Sequence, residues 1–90
     1  MKGSNPTITT TAQKIASGSP IANVDKAVHV FVTAAGQTVF FGAAGVTGAT
    51  NGYPVATGAG FTFFVGPGDD LYAVVAATTQ AITVLEMRAA

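Results

Sequence analysis

Ninety residues with four basic side chains, four acidic ones, one histidine and no cysteine set narrow limits. A chain this short makes one domain, residues 1–90, with a marginal core, and without cysteine neither a disulfide framework nor a thiolate metal centre can reinforce it. Zero net charge and 9% charged residues, against ~25% in ordinary soluble domains, speak against a nucleic-acid partner and for association with other protein surfaces.

Read from the start, residues 1–6 form a mobile N-terminal arm, in which Gly3-Ser4-Asn5-Pro6 lacks the apolar run of a secretory leader. The threonine-rich stretch Thr7 to Ile15 is a first strand, closed by Ser17-Gly18-Ser19-Pro20. Lys26 to Thr33 alternates strictly, with Val28, Val30 and Val32 on one face and His29, Phe31 and Thr33 on the other. Thr38-Val39-Phe40-Phe41 is a short β-branched and aromatic run ended by Gly42. Thr50-Asn51-Gly52-Tyr53-Pro54 is a turn in which Asn51-Gly52 suits positive φ. Ala56 to Gly60 is too glycine-rich for a helix. Phe61, Phe63 and Val65 share a face of the next run, and Gly66-Pro67-Gly68-Asp69-Asp70 ends it. Leu71 to Val75 and Ala81 to Met87 complete the series, joined at Thr78-Thr79-Gln80 by a tight hairpin. The fold class is all-β: a small antiparallel β-sandwich or barrel of about six to eight short strands. Its apolar runs are broken well before the ~18–20 residues that span a bilayer, so no membrane partner is expected and the chain is made in the cytoplasm.

Catalytic chemistry has little to stand on. Gly42-Ala43-Ala44-Gly45-Val46-Thr47-Gly48 has neither the spacing of a dinucleotide fingerprint nor a helix after it. Asp69-Asp70 could hold a cation only if other oxygens converged, and after Gly66-Pro67-Gly68 the ordinary role is a turn. His29 has no cysteine to serve and no serine in a G-x-S-x-G context. Glu86 and Arg88 alternate with apolar residues as the solvated face of the last strand. No enzyme activity, metal or cofactor is expected.

Aromatic residues carry more information. Around Val39-Phe40-Phe41 and Phe63-Phe64-Val65 both faces of a strand are apolar, whereas a sheet with one side on its own core should be polar on the other. Either these strands are central and fully buried, or a partner covers the second face. Phe31, Phe40, Phe41, Phe64 and Tyr72 are therefore the candidate protein-interface residues.

The succession Val39-Phe40-Phe41-Gly42-Ala43-Ala44-Gly45-Val46-Thr47, through Asn51-Gly52-Tyr53-Pro54-Val55, then Asp70-Leu71-Tyr72-Ala73 and Ile82-Thr83-Val84-Leu85-Glu86, resembles small β-sandwich virion proteins of tailed bacteriophages. Their recurring pattern is V-Y-[IV]-G-G-x-x-V-T-x-x-N-G-x-P-[LV], followed by D-x-L-Y-A and a last strand ending in V-L-E. The resemblance spans about residues 26–87 and departs at Phe40-Phe41 and Ala43-Ala44. It implies a head decoration (cement) or minor capsid protein on the capsid surface of the virion, bound to the major capsid protein, with a homotrimer as the expected self-assembly. A tail or fibre module that recognises a receptor or glycan through Tyr53, Tyr72, Asn51 and Asp69 is the alternative.

Overall fold

The computed structural model describes residues 2–87. Nine strands and no helix occur among them: β1 Lys2–Ser4, β2 Thr7–Ile8, β3 Gln13–Ser17, β4 Lys26–Val32, β5 Val39–Gly42, β6 Tyr53–Val55, β7 Gly60–Val65, β8 Asp70–Val74 and β9 Gln80–Glu86. They form two antiparallel sheets, one ordered β1-β9-β4-β7 with β2 also on β9, the other ordered β3-β8-β5-β6. Both sheets keep open edges, so the architecture is a sandwich rather than a closed barrel. β1, β2 and β6 span only two or three residues, too short to leave a periodic signal.

Alternation builds the core. Val28, Val30 and Val32 from β4, Ile82 and Val84 from β9, Val39 and Phe41 from β5, and Leu71 and Ala73 from β8 meet between the sheets in one buried cluster. Phe61, Phe63 and Val65 face the same interior, because the β4–β7 register sets them opposite Val30, Val28 and Lys26. Phe41, 1% exposed, is the largest side chain in that core. Truncating such a ring costs about 3–5 kcal/mol, so Phe41 is a core residue and not the interface residue expected from sequence.

Four further expectations change. Lys2–Ser4 is not a mobile arm but a strand along β9, pairing from Lys2 with Glu86 to Ser4 with Val84; β9's backbone groups would otherwise face water on that side. The first predicted strand is divided: Thr7–Ile8 pairs with β9, and Gln13–Ser17 pairs with β8 in the other sheet. Between them Thr9 Oγ1 accepts a hydrogen bond from the Thr11 amide at 3.3 Å, turning the chain from one sheet to the other. The segment at 78–80 is not a hairpin, since β8 and β9 lie in different sheets. Glu86 is not on a solvated face: it shares the inner side with Val84 and bonds Lys26 Nζ at 2.7 Å at the mouth of the sandwich. Arg88 lies outside the described residues.

One buried polar residue escaped the sequence. Gln80 is buried, and its amide is fully used. Its Nε2 donates to the carbonyls of Ala35 and Ala81 at 3.1 Å and of Thr33 at 3.3 Å, while its Oε1 accepts from the Gln37 amide at 2.9 Å. Gly36 passes directly over this amide with φ 129°, where a side chain would collide with Oε1. Gln80 thereby fixes the 33–37 loop that carries the chain from β4 across to β5.

Candidate functional site

The two sheets differ on their outer faces. On the β3-β8-β5-β6 sheet, residues 43–52 fold back over the strands. Val46 is buried there although it lies outside the central cluster. A side chain on Gly42 would come within 3.2 Å of Val46 Cγ2, and one on Gly52 within 2.7 Å of Phe40 Cβ. The loop is braced by Asn51, whose Oδ1 accepts from the Thr47 amide at 2.9 Å and whose Nδ2 donates to the Gly45 carbonyl at 3.1 Å. Positive φ falls at Gly45 and Gly48, not at Asn51-Gly52 as the turn chemistry suggested. Gly52 is required for space and Asn51 for its side-chain bonds.

On the β1-β9-β4-β7 sheet no segment among the described residues folds back. The register sets Ala27 beside Phe64, His29 between Leu85 and Thr62, and Phe31 between Thr83 and Gly60, all pointing away from the core. Phe64 is 71% exposed and Phe31 40%. Met87 continues the pattern, its amide donating to the Ala27 carbonyl at 2.8 Å. His29 Nδ1 and Thr62 Oγ1 share a 2.9 Å hydrogen bond, and Thr83 Oγ1 donates to Asn5 Oδ1 at 3.1 Å. No charged side chain stands on this face among the described residues. An uncharged sheet with two open phenylalanines and a rim of threonine and asparagine has the anatomy of a protein-docking patch.

Of the five sequence-derived interface residues, only Phe31 and Phe64 share this face. Phe40 is half-buried beneath the 43–52 loop, Phe41 is in the core, and Tyr72 belongs to the other sheet. Leu85, Met87 and Ala27 complete the patch and were missed. The signal was present in Ala81-Ile82-Thr83-Val84-Leu85-Glu86-Met87, where apolar residues continue on the face opposite Ile82 and Val84.

Two other features flank the patch. A chain of rings runs from the core to solvent: Phe41 to Phe63 at 5.3 Å between centroids, Phe63 to Phe61 at 4.8 Å, and Phe61 to Tyr53 at 4.7 Å. An open cleft of about 360 Å³ lies at one end of the sandwich, lined by Phe63, Phe64, Asp69, Asp70 and Tyr72 together with Gly42. It joins Tyr72 and Asp69 of the four residues expected for glycan contact. Tyr53 is instead part of the ring chain and Asn51 is occupied within its loop. Asp69 also serves a turn, its amide donating to Gly66 and its carbonyl accepting from Gly18 at 2.7 Å. No three His, Asp or Glu side chains converge as metal ligands among the described residues. Comparison with protein-family models, with curated proteins and with solved structures returns no match.

Proposed function

We propose that this chain is a structural virion protein of a tailed bacteriophage, a head decoration (cement) or minor capsid protein that binds the outside of the major capsid protein shell. The observation that carries the reading is the bare, uncharged face built on Phe31 and Phe64. A soluble domain with so few charges gains solubility and stability together when that face is covered. The strand-and-turn succession over residues 26–87 indicates the kind of partner. The mechanism is clamping: a protein that binds only the assembled lattice adds its binding free energy to that state alone.

The test uses heads prepared without the protein. Added chain should bind in many copies spread over the shell and raise the temperature at which the DNA is released. The double variant Phe31→Asp, Phe64→Asp should lose binding while keeping its β-sheet circular dichroism. A few copies confined to the tail, or an unchanged release temperature, would sink the reading.

The cleft favours a second reading, a tail or fibre module that binds glycans. Tyr72 and Phe64 would stack on a sugar ring while Asp69 accepts its hydroxyls. Glycan-array binding by the isolated chain that disappears in Tyr72→Ala would support it.

A further inference from the structure

We propose that β7 is a pairing edge and that its partner is β7 of a second copy of this chain. A sheet edge is a row of unpaired N–H and C=O groups, and folded proteins protect such rows by shortness, proline, lysine or bulges. Three of the four edges here are protected. β1 spans three residues and the short β2 that follows begins just after Pro6. β3 has a register break between Lys14 and Ala16 with exposed Lys14 beside it. β6 is three residues long and contains Pro54. β7 runs for six residues, Gly60-Phe61-Thr62-Phe63-Phe64-Val65, without a charge, a proline or a break in register.

The hydrogen-bond phase shows which groups are free. Ala27 accepts from Met87 and Thr33 donates to Ala81, so the odd-numbered residues of β4 bond β9; Val32 donates to Ala59 at 3.0 Å, so the even-numbered ones bond β7. Through the β4–β7 register, Phe61, Phe63 and Val65 bond β4, and Gly60, Thr62 and Phe64 aim their N–H and C=O outward.

This edge is complementary to itself. In an antiparallel pair centred on Thr62, Thr62 meets its own copy, Gly60 meets the partner's Phe64, and about six backbone hydrogen bonds form. Threonine opposite threonine is a favourable cross-strand pair. Gly60 is covered on this side by the His29 imidazole, whose Nε2 lies 3.1 Å from where a Cβ would stand, so the partner's Phe64 ring packs over that imidazole, next to Phe31, which is the β4 neighbour of Gly60. On the inner side Phe61 faces the partner's Phe63, extending the ring chain across the axis. No charge on β7 opposes the approach.

The area sets the strength. Phe64, Phe61 and Tyr53 are 71%, 39% and 49% exposed. At ~200 Å² per aromatic side chain they offer about 300 Å² per protomer, below the ~800 Å² of a standard interface. The dimer is therefore concentration-dependent. It is also two-fold, in place of the three-fold assembly expected from the resemblance, because an isologous strand pair closes at two copies.

Sedimentation equilibrium of the purified chain should show the mass rising with concentration from the 8.9 kDa monomer towards twice that value. Over the same range, hydrogen exchange at the amides of Gly60, Thr62 and Phe64 should slow at least tenfold, with Phe61, Phe63 and Val65 protected throughout. Thr62→Pro removes the outward N–H together with the Thr62–His29 side-chain hydrogen bond, leaves the bonds to β4 in place, and should hold the mass at the monomer. Thr62→Lys keeps that N–H but sets two ammonium groups face to face, and should do the same if the proline variant fails to fold. A mass fixed at the monomer, a trimer, or a dimer that survives a folded variant overturns the proposal. None of these results depends on the capsid reading.

Discussion

β5 and β7 present the same text and meet different fates. Each carries adjacent phenylalanines, Phe40-Phe41 and Phe63-Phe64, and each sends one ring into the core, Phe41 and Phe63. The other ring faces outward. Phe40 lies under the chain's own 43–52 loop, where Val46 is buried; Phe64 has no cover and is 71% exposed. An apolar residue on both faces of a strand thus shows that two covers are needed. It does not show whether the second comes from the same chain, which depends on whether a nearby loop is long enough and rich enough in glycine to fold back.

The contrast can be broken most strongly at Val46. Val46→Asp would set a carboxylate beneath the loop and cost about 3 kcal/mol, read as a lower urea midpoint and as lost exchange protection at the Thr47 amide. Gly52→Ala comes next. Its Cβ would sit 2.7 Å from both the Gly48 carbonyl oxygen and Phe40 Cβ. Lifting the loop by that amount should cost about 1–3 kcal/mol by thermal or urea unfolding. The smallest effect belongs to the uncovered face: Phe64→Ser, at a ring that is 71% exposed and measured at concentrations where the chain is monomeric, should cost less than about 1 kcal/mol. A loss as large as that of Gly52→Ala would mean that Phe64 supports the fold and that the face is not free to bind.

How much was legible follows the same division. Val28, Val30 and Val32 were placed correctly because period-2 alternation is a local signal, and so were Phe61, Phe63 and Val65. The all-β class followed from it. Which sheet a strand joins was not legible. Thr78-Thr79-Gln80 has turn chemistry, with Thr78 at φ 53°, but the turn carries the chain between sheets rather than back along one. Thr7 to Ile15 divides between sheets for the same reason, since its threonines suit a strand and a side-chain-bonded turn equally. Gln80 looked like a loop residue because two of the carbonyls that satisfy it, those of Thr33 and Ala35, lie more than forty positions away. At the candidate site, Phe31 and Phe64 were legible as outward aromatics. Phe40 and Tyr72 were grouped with them although they belong to the other sheet, because sequence separates the two faces of a strand but not the outsides of two sheets.

The place of β9 bears on how the protein comes into being. It is last in chain order yet sits inside its sheet, between the N-terminal strands and β4. Until residues 80–86 have left the ribosome, β4 has a neighbour only in β7, and β1 and β2 have none. The β3-β8-β5-β6 sheet can pair before then, but the sheet it packs against stays unfinished while the remainder is translated. That sheet must wait and close in one late, long-range event, which is slow for such topologies and leaves the valines of β4 open to the cell in the interval.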